Sequence, residues 1–352
     1  MDRQSRIIYL DNAATSFPKP PEVLQEMLDT YSRLGVSPGR GSYDLASQCE
    51  QLVHTVRQQI SDFFGGDGPE RVIFAYNSTD ALNTVIHGLM EPGCHVVSSR
   101  LEHNSVLRPL HYLREHGLIL LDLVPFDGNG FIDPQDVARA IEPSTRFVIL
   151  NHASNVFGTI QPVSDVGRIC AEHEVPLVLD VSQSAGIVPI DMGVGGTGSE
   201  SWSMAQPQDY PRRLEAGTLN TLGIIGLSAG MRYILQRDMA NIYRDEMSLA
   251  RTLRDGLASI KGVRLYCAHT LENHVAVLTC NVEDLDPEDF AAILDGDFDI
   301  ATRAGLHCAP LVHKDLGTSP RGSVRFSPGP LNTGGDVSAA VEAVQAIVAN
   351  LK

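Results

Sequence analysis

Cys308 lies in ATRAGLHCAPLVHKDLGTSP, a polar stretch punctuated by Gly and Pro, whereas most of the other five cysteines sit among apolar neighbours. It is the best candidate for a reactive thiol in the chain. A thiol's reactivity follows its thiolate fraction, which a neighbouring cation such as protonated His307 or Arg303 would raise. An inert cysteine near a loop is the competing reading. Arg325, in Val324-Arg325-Phe326, can offer a planar two-pronged donor to a carboxylate, although an arginine in a strand is more often a surface residue.

Three further positions fall at strand-to-helix junctions, where the first N–H groups of a helix are free and ligands of open α/β sheets bind. Ser78 and Thr79, in Asn77-Ser78-Thr79, would converge on an anion there, or serve as an ordinary N-cap. His103, in Leu101-Glu102-His103-Asn104-Ser105, could stack on a flat heteroaromatic ring or act as a capping or core histidine. Asp180, in LVLDVSQSAG, could pair with a protonated ring nitrogen, with Asn155 and Gln183 bonding an oxygen of the same ring. Each signal is weak alone. Together they supply phosphate donors, a ring stacker, a ring-nitrogen partner, a thiol and a carboxylate clamp.

The elements that must position these groups follow from an alternation of short β-branched runs with helical patterns. Strands are predicted at 71–75, 94–99, 119–124, 146–151 and 176–181, with helices at about 80–88, 105–116, 135–141 and 165–173. This order predicts a mostly parallel sheet covered on both faces. Residues 195–213, GGTGSESWSMAQPQDYPRR, have no hydrophobic period and read as an extended loop. A helical region from about 218 to 260, broken near 237–238, precedes strands at 263–266, 275–282 and 323–326 and helices at 286–294 and 336–351. The tail therefore reads as a smaller α+β domain.

Composition narrows the class further. With 43% hydrophobic and 20% charged residues, a chain of 352 residues can bury a large core. A net charge of -16 without a basic tract argues against nucleic-acid partners. No stretch approaches the length of a membrane span, the opening residues do not resemble a secretory signal, and the six scattered cysteines point to a reducing, cytoplasmic setting. No metal site is expected.

The phrases YLDNAATSFPKPPEV, GRGSYDLAS, FAYNSTDALN, LEHNSVLRPL, NHASNVFGTIQPV, DVSQSAGIVPID, GGTGSES, RLEAGTLNTLGIIGL, RAGLHCAPLVHKDLGT and SVRFSPGPLNT resemble, almost continuously from about residue 8 to the end, the cysteine desulfurase family of class V aminotransferases. The resemblance implies a homodimer of pyridoxal-phosphate fold type I: a large domain over 15–235 with a mostly parallel sheet, and a small α+β domain from 1–14 and 236–352. It also implies conversion of L-cysteine to L-alanine, with the sulfur left as a persulfide on Cys308 and a sulfur-acceptor protein as a possible further partner. By the same match Ser78 and Thr79 hold the cofactor phosphate, His103 stacks on its ring, Asp180 meets its nitrogen, and Asn155 and Gln183 face its oxygen. Arg325 and Asn12 fall on substrate-binding positions, and Thr197 on a residue that reaches the phosphate of the partner subunit.

One departure is large. Between Val194 and Gly195 the family has a further strand, a Ser/Thr-x-His-Lys turn with the Schiff-base lysine, and another strand; these segments are missing here. The four lysines, Lys19, Lys261, Lys314 and Lys352, all match other parts of the family. The large-domain sheet is therefore expected to have two strands fewer than usual, leaving a gap or a rejoined, narrower sheet. Covalent cofactor attachment is not expected, and activity is expected to be impaired. A noncatalytic paralog that binds the cofactor or a partner subunit, a deletion or gene-model variant, and a selenocysteine lyase or aminotransferase are the alternatives.

Overall fold

The computed structural model describes residues 7–39, 41–191, 210–211, 213–215 and 217–351. Thr197, the 194/195 junction and most of the expected Gly/Ser-rich loop lie outside them. The elements run β1 (Ile8–Tyr9), α1 (Pro21–Leu34), α2 (Asp44–Phe63), a short 3₁₀ turn (Pro69–Arg71), α3 (Ser78–Leu89), β2 (Cys94–Ser99), α4 (Asn104–Glu115), β3 (Ile119–Val124), α5 (Pro134–Ala140), β4 (Thr145–Asn151), α6 (Val163–Glu172) and β5 (Leu177–Asp180). There follow α7 (Thr221–Arg237), α8 (Met239–Ala258), β6 (Val263–Tyr266), β7 (Leu278–Val282), α9 (Pro287–Phe298), β8 (Ile300–Ala301), β9 (Arg303–Gly305), α10 (Pro310–Asp315), β10 (Ser323–Phe326) and α11 (Gly334–Asn350). The chain divides into two compact units: one of residues 1–18, 82–184 and 242–352, the other of 19–81 and 185–241.

The first unit carries the parallel sheet, in the order β3-β2-β4-β5 with every pairing parallel. Parallel neighbours need crossovers, and α4, α5 and α6 supply them. Both faces are covered, so the inner strands are buried, β2 throughout and β4 from Phe147 onward, and β4 reads as a continuous apolar run from Phe147 to Leu150 rather than an alternating one. Val96, Phe147 and Ile149 pack on one side with Ile86, Val106 and Leu110. Val97, Val148 and Leu150 pack on the other with Val137, Phe157 and Val166. The same unit holds an antiparallel sheet, β6-β7-β10-β9, whose Leu278, Cys280, Val324 and Phe326 share a core with side chains of α8, α9 and α11. The N-terminal segment joins through β1, which pairs in parallel with β8, and through the bridge Asp11 to Ser327.

The α/β class with a mostly parallel sheet is as the sequence implied, with one strand corrected. Residues 71–75 form no strand, because their backbone groups bond to side chains within the second unit rather than to a neighbouring strand. The Arg57 guanidinium donates to Val72 O, stands 4.5 Å over the Phe74 ring and ion-pairs with Glu215 at 2.6 Å, while Phe74 N donates to Glu215 Oε1 at 2.7 Å. At the far side of the parallel sheet, β5 pairs only with β4 among the described residues. Its Leu177, Val178 and Leu179 are only partly buried, whereas every residue of β2 is buried. Among those residues the sheet is therefore not rejoined beyond β5.

Around Val53, Val56 and Ile224, the second unit builds a small core from α2 and α7. The helical region from 218 breaks at Asp238, whose φ of +66° separates α7 from α8.

Candidate active site

The ends of β2, β4 and β5 bring His103, Glu102 and Asp180 into one electrostatic neighbourhood of the first unit. His103 caps α4, its Nδ1 accepting the Ser105 N–H at 3.1 Å. That bond leaves the ring proton on Nε2. Burial holds its pKa below the ordinary histidine value; Asp180 opposes this, while Arg303, Arg108 and Arg325 add to it. Asp180 closes β5, with Oδ1 accepting from Ser182 N at 3.0 Å and Ser182 Oγ at 2.5 Å.

Glu102 is a participant that sequence reasoning missed. It is fully buried, and its Oε1 accepts from Ser99 Oγ at 2.6 Å and from Asn151 N at 3.0 Å, Asn151 being the register partner of Asp180. Its Oε2 has no hydrogen-bond partner among the described residues. Burial, reinforced by the charge of Asp180, pushes its pKa up to about 8. Glu102 is thus kept neutral at neutral pH, as burial and a like charge nearby dictate. The available signal was its place: an acid at the carboxyl end of a wholly buried strand, directly before a capping histidine.

Arg325 is 1% exposed, so it is not a surface residue of its strand, and its fork is not empty. Its Nη1 donates to Asn155 O at 3.0 Å and its Nη2 to Asp11 Oδ1 at 2.6 Å, while Nε has no partner among the described residues. Asn155 in turn donates through Nδ2 to His307 O at 2.7 Å, and its buried Oδ1 has no partner among the described residues. Gln183 donates to Ala13 O at 3.0 Å. Asn12 spends its amide on Ser327 O and Asn332 Oδ1 and accepts the Phe17 N–H, which makes it an anchor of the N-terminal segment.

Cys308 is half-buried, whereas the other five cysteines are buried; burial pushes the thiols of Cys267 and Cys280 up to about 12. It sits on a turn in which His307 and Cys308 both take left-handed backbone angles, φ +47° and +56°, uncommon for residues with a Cβ. Neighbours fasten both carbonyls: Asn155 Nδ2 donates to that of His307, and the Asn104 N–H, at the start of α4, donates to that of Cys308 at 2.7 Å. Arg303 Nη2 lies 3.5 Å from Sγ. Of the two cations expected beside the thiol, His307 is not one. It is 2% exposed, and burial, reinforced by Arg325, His313 and Arg303, drives its pKa far below the usual value, so it is neutral.

Ser78 and Thr79 open α3 in the second unit, both exposed. The capping role belongs to Asn77, whose Oδ1 accepts the Asp80 N–H at 2.9 Å. Among the described residues no three His, Cys, Asp or Glu side chains gather as metal ligands, and no helix is long and apolar enough to cross a membrane.

The family model for class-V aminotransferases matches the chain in two stretches, residues 8–197 and 193–340. A probable cysteine desulfurase of Methanothermobacter thermautotrophicus is 29% identical over 382 aligned residues, covering 97% of this chain and 94% of the relative. That alignment is longer than the chain itself, 352 residues, so the relative contains residues with no counterpart here. A probable cysteine desulfurase of Pyrococcus abyssi is 30% identical over 365 residues, covering 91% of this chain and 89% of the relative. Among solved structures, the apo cysteine desulfurase of Thermococcus onnurineus NA1 superposes with a TM-score of 0.88 at 30% identity, covering 98% of this chain and 95% of that one.

Proposed function

Since the chain belongs to the class-V aminotransferase family, within its cysteine desulfurase group, we propose that it acts on L-cysteine, with Cys308 accepting the sulfur and L-alanine left behind, at a rate limited by the loss of the segment that carried the lysine. The observation that carries this reading is the half-buried Cys308 on a clamped, left-handed turn, tied through Asn155 to the buried guanidinium of Arg325.

Proteins of this family depend on pyridoxal 5'-phosphate, and three of this chain's groups support a partial seat for it. Asp180 supplies a carboxylate beside a carboxyl group kept neutral, His103 an uncharged ring, and Asn155 Oδ1 a buried acceptor without a partner. The amine does not fit: Lys19, Lys261 and Lys314 are exposed, and Lys352 lies outside the described residues. The cofactor would therefore be held noncovalently, and when bound it supplies an electron sink for bond cleavage at the amino acid. The chain's own contribution would be positional: Arg325, whose Nε has no partner among the described residues while its Nη atoms hold Asn155 O and Asp11, would meet the substrate carboxylate, His103 and Asp180 would orient the ring, and the Cys308 turn would present sulfur at a fixed point. The split of the family match around residue 195 supports placing the loss at 194/195.

A homodimer remains part of this reading through the family resemblance, and the exposed Leu227 and Leu235 of α7 and Tyr76 before α3 are surfaces that a second copy could cover. A second reading, a noncatalytic member that binds cofactor or partner without turnover, is favoured by the exposure of the described lysines. Incubation with pyridoxal phosphate and L-cysteine separates the two. Persulfide on Cys308 in peptide mass spectra, with alanine formed and both lost in Cys308→Ser, supports the desulfurase reading; no persulfide above background rejects it.

A further inference from the structure

Arg303 is the first residue of β9, and the antiparallel register of β9 with β10 sets it directly opposite Arg325. Like charges facing each other across a ladder are destabilising. The carboxylate that could relieve the pair, Asp11, is engaged by Arg325 at 2.6 Å, and Arg303 has no carboxylate within ion-pairing distance among the described residues. Its guanidinium makes one hydrogen bond there, to the sulfur of Cys308 at 3.5 Å. A purely structural arginine would have packing bonds to lose; this one has a half-buried charge, a repulsive neighbour and a sulfur atom. The other titratable groups around the thiol do not compete for it: His307 and His103 are both held neutral.

The geometry points to Arg303 as the positioning residue that holds the sulfur of Cys308 in place, its guanidinium also drawing small anions to that sulfur. The inference deepens the proposed function and rests on Cys308 being the sulfur carrier. The pairing of roles across the ladder is then coherent: one guanidinium for the carboxylate of an amino acid, its cross-strand neighbour for the sulfur of Cys308.

Alkylation tests this without cofactor or turnover, so a protein inert toward L-cysteine still gives an answer. Iodoacetate and iodoacetamide both form an S–CH2 bond with the thiolate and release iodide; they differ in the charge of the reagent. The rate ratio, iodoacetate over iodoacetamide, is read at Cys308 by peptide mass spectrometry at neutral pH and low salt, and compared with the ratio for glutathione. One unscreened charge at near contact predicts a ratio about tenfold above the glutathione value. Arg303→Gln should bring it down to that value, and Arg303→Lys should restore most of it. An unchanged ratio in Arg303→Gln would overturn the assignment. Should that variant not fold, the wild-type protein decides: 1 M NaCl must shrink the ratio, and a ratio indifferent to salt, or equal to that of glutathione, overturns it as well.

Discussion

Replacing Glu102 by Gln should make the protein's stability much less dependent on pH between about 5 and 8. The folded protein holds the proton of Glu102 up to about 8, against an ordinary value of 4.5, while the unfolded chain releases it near the ordinary value. Folded therefore binds more protons than unfolded across that interval, and stability falls as pH rises through it. At about 1.4 kcal/mol for each pH unit of the interval, the loss comes to about 3–5 kcal/mol for this fully buried group. Gln keeps the acceptor that Ser99 Oγ and Asn151 N use, and its new amide NH2 replaces the oxygen that had no partner. Urea unfolding midpoints measured at half-unit steps of pH give the slope directly. A wild-type curve that declines toward pH 8 beside a flatter Glu102→Gln curve is expected. The decline should not vanish, because Glu246 in α8 is also raised to about 8 by burial. Equal slopes in the two proteins would refute the reasoning, since the carboxyl would then ionise alike in both states.

Three further outcomes are expected. His313, held to about 4 by burial, should make stability fall as pH drops from the ordinary histidine range toward 4, and His313→Gln should blunt that acid limb in the same urea series. Arg57→Ala strands Glu215 and removes the donor to Val72 O, a loss of about 3–5 kcal/mol for a broken buried pair, read as a lower urea midpoint. Asn155→Leu frees the His307 carbonyl from its donor, so Cys308 should react with a neutral alkylating reagent at a changed rate while the melting temperature drops by several degrees.

Much of the fold was legible because it rests on period and punctuation. The inner strands declare themselves by unbroken apolar runs such as Phe147 to Leu150, buried from both sides, and the helix break falls at Asp238 where the pattern falters. Residues 71–75 misled for a physical reason: a β-branched, apolar run states a preference for extended backbone, but a strand also needs a neighbour. Here Arg57 and Glu215 took the neighbour's place. α1 and α2 went unread; the apolar residues of α1 are nowhere fully buried within the chain.

In the site, the exposure of Cys308 could be inferred from its polar, Gly-rich surroundings, but charge states could not. His307 looked like a cation beside a thiol, and only its burial next to two guanidinium groups shows that it is neutral. Glu102 escaped attention because its importance lies in being buried behind Asp180. The amides of Asn12 and Gln183 are committed to backbone carbonyls that lie far away in sequence, at Ser327 and Ala13, which residue types alone do not reveal.

Borohydride reduction of the protein saturated with pyridoxal phosphate, followed by peptide mapping, asks whether any amine of this chain binds the cofactor covalently. Retained cofactor that is released intact on denaturation, with no phosphopyridoxyl adduct at Lys19, Lys261, Lys314 or Lys352, is the predicted result. A stoichiometric adduct on any one of those four lysines would contradict it.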